Sequence, residues 1–211
     1  MKRKNYKGST LDSNKLIAIL RRRGAKQKRA EACWLLGKYR EKKAIPVLLR
    51  ALKDNAAEVR WEAAKALAAI SRSDSIEPLI QIMRHGKTAN IREAAAYALS
   101  SMFSKRSKQA AQSLLSVLND KKEKAIVRAQ AAEGLGNLQY HPAFNSLMSA
   151  LNDKNVEIRF WSVFALGKLG DLRAVPKLRD MAQHDSGALP RWGSIKKEAR
   201  DAISAINRKC S

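Results

Sequence analysis

Acidic residues are scarce in this chain of 211: Asp and Glu number 19 against 42 Lys and Arg, a formal net charge of +23. An imbalance of this size points to an acidic partner, whether a nucleic acid, an acidic protein or an anionic membrane surface. Cysteine is nearly absent. The two present, Cys33 and Cys210, belong to no Cys-x-x-Cys pair, which excludes a disulfide framework and favours a reduced, cytoplasmic setting. Long apolar runs are missing, for none approaches the ~20 residues a membrane-spanning helix needs. Met1 to Lys7 is basic with no apolar run behind it, unlike a secretory signal.

Catalytic signals are equally sparse. The three histidines, His85, His141 and His184, are expected in turns and lie far apart, so no metal site is expected. No Ser/His/Asp order, Walker loop or Gly-x-Gly-x-x-Gly motif occurs. The chain is therefore read as a non-enzyme with no catalytic residues and no cofactor.

What the chain does contain is a repeated phrase. Val156 to Met181 has helical apolar spacing over Ile158, Val163, Leu166 and Leu169, a stop at Gly170-Asp171, and Pro176 where a first helical turn tolerates a missing N–H. The Ala-rich part recurs at Val59–Leu67, Ile91–Leu99 and Val127–Leu135, with weaker copies at Arg29–Leu36 and Ile195–Ile203. Its basic anchors, Arg29, Arg60, Arg92, Arg128, Arg159 and Lys196, are spaced by 31, 32, 36, 31 and 37 residues. A period in the thirties built from two helices marks an all-α solenoid. Six repeats and about twelve helices, without a sheet, are expected in one domain over residues 11–211, and residues 1–10 are expected to be a disordered basic arm. The predicted pairs are 13–23 with 27–39, 43–53 with 57–70, and 74–84 with 89–102. Then follow 107–119 with 125–138, 141–152 with 156–169, and 174–183 with 194–207. Gln183 to Ser194, with Gly187, Pro190, Trp192 and Gly193, reads as an ordered loop over the C-terminal end. The glycines Gly134 and Gly136 fall inside a helix, where they suit close packing.

The stretch Leu166 to Leu178, Leu-Gly-Lys-Leu-Gly-Asp-Leu-Arg-Ala-Val-Pro-Lys-Leu, resembles the HEAT-like repeat of phycobilin lyases and their relatives. The resemblance extends over nearly the whole chain after about residue 11 and implies an α-solenoid. Its family carries scaffolds, lyases, hydroxylases and nucleic-acid binders alike, so it does not fix function. The iron-binding hydroxylase branch requires His-Glu pairs, which none of the three histidines forms.

The resemblance also implies a structural ladder, an Asp in the turn bonded to an Arg opening the second helix. Asp54 precedes Arg60 by six residues, Asp153 precedes Arg159 by six, and Asp120 precedes Arg128 by eight. These six residues are expected to be structural, with Asp54 and Asp153 bonding their arginines or nearby backbone groups. Six residues before Arg29, Arg92 and Lys196 stand Arg23, Gly86 and Pro190, so these three cations are expected to be free for a ligand.

Candidate binding residues fall into two groups. The first is the basic N-terminal quarter, where residues 1–50 hold 16 Lys and Arg against three acids and Arg21, Arg22, Arg23 and Arg29 form the densest run. The second is a stripe on the Ala-rich helices, one and five residues after each anchor, positions that share a helix face. It holds Trp34, Trp61, Lys65, Tyr97 and Phe160, with Trp161 beside it. By the resemblance this stripe lines the concave side, and its aromatics are expected to be partly exposed there. Trp and Tyr are common hot-spot residues of protein interfaces, and they also stack on unpaired bases. The expected role is a binding scaffold, monomeric by default, for an acidic macromolecule. An acidic protein comes first, because Glu31, Glu62, Glu93 and Glu133 on the same helices would repel a phosphate backbone. A nucleic acid comes second, and a phycobilin lyase or chromophore-protein chaperone third.

Overall fold

The computed structural model describes residues 12–22, 24–71, 73–102 and 107–210. The expected arm over residues 1–10 and Arg23 lie outside the described residues. The rest forms twelve α-helices: α1 (Ser13–Arg21), α2 (Lys26–Lys38), α3 (Ile45–Ala51), α4 (Ala57–Ile70), α5 (Ile76–His85) and α6 (Ala89–Ser100). They continue as α7 (Ser107–Asn119), α8 (Ala125–Asn137), α9 (Phe144–Ala150), α10 (Val156–Leu169), α11 (Val175–His184) and α12 (Ile195–Cys210). Odd helices are the first and even helices the second of six stacked pairs. None of the described helices is long and apolar enough to cross a membrane.

Local chemistry sets the boundaries. Asp12 caps α1 by accepting from the Lys15 N–H, and Asn155 caps α10 through the N–H groups of Glu157 and Ile158. Four first helices are entered through a short 3-10 turn, as at Lys42–Ala44 and Leu172–Ala174. Pro46 and Pro176 then sit at the start of α3 and α11, where no N–H is missed. Four of the second helices end on a left-handed residue eleven positions after the anchor: Arg40, Ser71, Gln139 and Gly170 all have positive φ. Only at Gly170 does that conformation carry no Cβ penalty.

Each second helix packs along the next, α2 on α4 and so on to α12. The spacing is set by small residues. A Cβ on Gly37 would lie 2.6 Å from the Cα of Ala66, one on Gly136 2.6 Å from that of Ala165, and one on Gly167 2.9 Å from that of Ala202. In register these are position eight of one second helix against position six of the next. Where position eight is the larger Ser100, position six is Gly134, whose Cβ would meet the Ser100 Cβ at 2.7 Å. Gly134 and Gly136 thus allow close backbone approach on opposite sides of α8. The apolar stripes of all twelve helices merge into one core, with Leu67, Leu99, Leu135 and Leu166 fully buried. Cys33 lies in that core, and its thiol is pushed up to about 12, first by burial and then by the charges of Glu62 and Asp54.

The expectation of no sheet is corrected in the last linker. Ala188–Leu189 pairs antiparallel with Gly193–Ser194, a two-residue ladder closed by a turn that holds Pro190 and Trp192. Leu189 is buried beneath it while Trp192 is 60 % exposed.

Candidate binding face and the arginine ladder

Four of the five anchor arginines adopt one recurring pose. The Nη1 of Arg60 donates to the carbonyls of Asp54 (2.8 Å) and Asn55 (2.9 Å), that of Arg92 to Gly86 (2.7 Å), and that of Arg159 to Asp153 (3.0 Å) and Lys154 (3.2 Å). Arg29 does the same to Gly24. The six-residue spacing is therefore a contact with the turn's backbone, not with its carboxylate. The Asp54 carboxylate does not bond Arg60, nor that of Asp153 Arg159; each accepts from a nearby backbone N–H instead, of Ala56 and of Asn155, the other arrangement the expectation allowed.

The carboxylates instead serve the arginine of the preceding repeat. Asp54 takes Nε and Nη2 of Arg29, both at 2.8 Å. Glu123 takes the same fork of Arg92 at 2.7 Å, and Asp185 that of Arg159 at 2.8 and 3.1 Å. Asp153 accepts from Nη2 of Arg128 at 2.8 Å, while the Arg128 Nε donates to the Leu118 carbonyl. Arg29 and Arg92, expected to be free, are thus held in two-point ion pairs. Asp120, expected to hold Arg128, instead accepts from the Lys122 N–H. The reason is geometric: an arginine starting a second helix reaches back to its own turn with one nitrogen and forward to the next turn with the other two.

These pairs fix the charge states. Burial alone would raise Asp54, Glu123, Asp153 and Asp185, but their hydrogen bonds from arginine and backbone N–H groups outweigh it and hold all four below the usual carboxylate range. Arg29 and Arg92 are raised in turn, chiefly by those same bonds.

Arg60 is the exception. Its fork meets no carboxylate among the described residues, and the following turn, where the carboxylate would stand by the repeat register, reads Gly86-Lys87-Thr88. A Cβ at Gly86 would lie 2.7 Å from the Ile82 carbonyl oxygen and 2.9 Å from Ile91 Cγ2, so no side chain fits there.

The stripe on the second helices is aromatic at both ends and acidic between. Trp61 meets Tyr97 of the next repeat edge-on, with ring centres 5.3 Å apart. Trp34 is half-buried beneath the Lys38 ammonium, which sits 5.2 Å from its ring centre. At the other end Trp161 contacts Phe160, Phe164 and Trp192, with ring centres between 5.1 and 5.5 Å, and Lys168 lies over Phe164. Trp34, Trp61, Tyr97 and Trp161 are all half-buried and Lys65, bonded to Glu62, is exposed. Phe160 is corrected: it is 2 % exposed, its ring covered edge-on by Trp161. Phe164, five residues after the anchor Arg159 and so on the stripe, belongs to the cluster, as does Trp192, which escaped the repeat arithmetic. Trp192 lies in the linker outside any repeat, and only its company of Gly and Pro in an ordered loop hinted at it.

Between the aromatic ends sits Glu93, pushed up to about 7 by burial first and by the charge of Glu157 next, with Arg60 opposing and Glu133 adding. Glu133 is also raised, by burial, against its hydrogen bonds from Gln130 and Asn137. No three His, Cys, Asp or Glu side chains converge as a metal site among the described residues.

A second feature lies at the N-terminal end. Leu20, Arg21, Arg22, Arg50 and Lys53 line a crevice of about 570 Å³ beside Arg29 and Asp54. Its one carboxylate is already neutralised by Arg29, so the crevice is strongly positive.

The family model for HEAT repeats matches residues 13–100 and 111–196. The chain is similar to deoxyhypusine hydroxylase of Candida glabrata, 26% identical over 179 residues; the match covers 72% of this chain and 56% of that protein, so it spans little more than half of the relative. Among solved structures, an engineered protein superposes with a TM-score of 0.60 at 19% identity over 94% of this chain and 98% of its own. A designed armadillo repeat protein in complex with the peptide (KR)4 superposes with a TM-score of 0.55 at 18% identity, over 93% of this chain and all of its own. At these identities the superpositions speak to the fold.

Proposed function

The chain belongs to the HEAT-repeat family, and from that premise we propose that it is a non-enzymatic scaffold that binds an acidic protein along its second-helix face and basic N-terminal end. The observation that carries the reading is the alternation on that face. Half-buried aromatics stand beside cations, Trp34 under Lys38 and Phe164 under Lys168, with half-buried carboxyl groups between. A polypeptide presents discrete carboxylates separated by apolar side chains, and such a mixture fits alternating aromatic, cationic and acidic patches. A phosphate backbone is uniformly anionic and is repelled wherever Glu93, Glu133 and Glu157 are ionised. Trp34, Trp61, Lys65, Tyr97 and Trp161 are the proposed contacts on the face, and Arg21, Arg22 and Arg23 supply the long-range attraction. The designed armadillo protein in complex with the peptide (KR)4 offers a precedent for a solenoid taking a charged peptide, here with the opposite charge preference.

The nucleic-acid reading is favoured by one observation, the net charge of +23. The phycobilin-lyase reading rests on the motif Leu166 to Leu178, and a coloured complex with a bilin would support it. Hydroxylase activity is not carried over from the Candida glabrata relative, since His85, His141 and His184 precede Gly86, Pro142 and Asp185 rather than glutamates.

The test is fluorescence anisotropy with a labelled Glu-rich peptide. Trp61→Ala is expected to weaken binding by about tenfold or more. Affinity unchanged in Trp61→Ala and Trp34→Ala alike would remove the second-helix face from the account.

A further inference from the structure

We propose that the guanidinium fork of Arg60 is a seat for a side-chain carboxylate of the acidic polypeptide, held between the second and third repeats. This rests on the scaffold reading above and names one subsite of it.

Three of the other four anchor arginines show what the fork takes. Nη1 is anchored on the carbonyls of its own turn, and that contact aims the remaining nitrogens at the following turn. There Arg29, Arg92 and Arg159 each receive both oxygens of one carboxylate. Arg60 is anchored the same way, on Asp54 and Asn55, so its Nε and Nη2 are aimed alike. Among the described residues no carboxylate reaches them. Gly86 leaves no room for a side chain, and the next residue is Lys87, five positions before its anchor. Glu123 stands at that same position before Arg128 and is the residue that fills the fork of Arg92. A glutamate in the fourth repeat is thus a lysine in the third.

Glu93 does not fill the seat. Its charge state feels Arg60, but no hydrogen bond or ion pair joins them. Arg60 is half-buried, so a carboxylate arriving from solution reaches the fork without the full penalty of a buried ion. A planar fork recognises a carboxylate by two parallel bonds, a geometry that lysine cannot reproduce. The site lies one residue from Trp61, whose ring pairs with Tyr97 on the adjoining face. A peptide crossing from that face to this edge would place an apolar side chain on the rings and an acidic one in the fork.

The experiment supplies the carboxylate from within. Lys87→Glu, Arg60→Lys and the double variant are compared by thermal melting and by anisotropy with the labelled Glu-rich peptide. Lys108→Glu, an exposed reversal on α7, controls for net charge. Because Arg60→Lys also loses the bonds to the Asp54 and Asn55 carbonyls, the stability readout is the coupling in the double variant. The proposal expects Lys87→Glu to raise Tm by roughly 2–4 °C only when Arg60 is present. It also expects that variant to bind the peptide about tenfold more weakly than Lys108→Glu does. The same Tm change in both backgrounds overturns the seat. If coupling is present and the peptide binds but is indifferent to Lys87→Glu, the partner's carboxylate lies elsewhere; the proposal falls and the scaffold reading stands. If coupling is present and the wild-type chain binds no peptide, the scaffold reading falls and takes the polypeptide occupant with it. Loss confined to a labelled oligonucleotide, with the peptide unaffected, overturns the proposal in favour of a phosphate.

Discussion

Arg29 and Asp54 stand in neighbouring repeats, 25 residues apart, yet they share two hydrogen bonds of 2.8 Å and together tie the first turn of the solenoid to the second. The same carboxylate accepts from the Ala56 N–H. Asp54 therefore joins two repeats and opens α4.

Asp54→Ala is expected to destabilise the fold by about 1–3 kcal/mol, since it leaves a half-buried guanidinium unpaired and a backbone N–H unmet. Thermal melting measures this. An unchanged Tm would show that the pairing between repeats contributes nothing.

The ladder also sets an acid limit. Asp54, Glu123, Asp153 and Asp185 all have folded pKa values below their unfolded ones. Their stabilisation is complete above the ordinary carboxylate range of about 4 and is lost as pH falls through the depressed folded values. Glu93 works in the opposite sense. Its pKa is raised from 4.5 to about 7, so its contribution is present below 4.5 and disappears as pH rises through about 7. Glu93→Gln should raise Tm above that pH and leave it nearly unchanged well below 4.5. A gain that does not vary with pH would contradict the assignment.

Gly37→Ala tests the spacing of the second helices. The added Cβ would meet the Ala66 backbone at 2.6 Å, and overpacking of this kind costs about 1–3 kcal/mol. Leu166→Ala, at a fully buried site, should cost ~2–5 kcal/mol by leaving a cavity. Equilibrium unfolding checks both, and a loss well under 1 kcal/mol at either position would contradict the packing.

Much of this architecture is legible in the sequence, because repetition averages out local ambiguity. Six copies of one phrase placed every helix pair, and Gly134 and Gly136 could be read as packing residues since neither can end a helix that continues past it. The register of the ladder was not legible. A spacing of six residues is the same whether an arginine meets a carboxylate or the carbonyl behind it, and the true partner lies 25 to 31 residues on. The left-handed ends were visible only at Gly170, for nothing in the residue types of Arg40, Ser71 and Gln139 announces a positive φ. The burial of Phe160 was hidden because period arithmetic assigns a face but not what covers it.

Charge is expected to act from one end. Neutralising Arg21 and Arg22, which line the positive crevice, should weaken binding of the Glu-rich peptide more than neutralising Lys196 and Lys197, and should flatten its salt dependence. Equal losses from the two pairs, measured by anisotropy across a salt series, would mean that net charge alone attracts the partner.

The most direct measurement of the central claim uses the chain's own reporters. All four tryptophans, Trp34, Trp61, Trp161 and Trp192, lie on the second-helix face or in the aromatic cluster at its end. Titration with an unlabelled Glu-rich peptide, followed by tryptophan emission, should give a saturable blue shift that high salt reverses and that diminishes in Trp61→Phe. Binding detected by calorimetry without any change in tryptophan emission would place the partner on another surface and contradict the account.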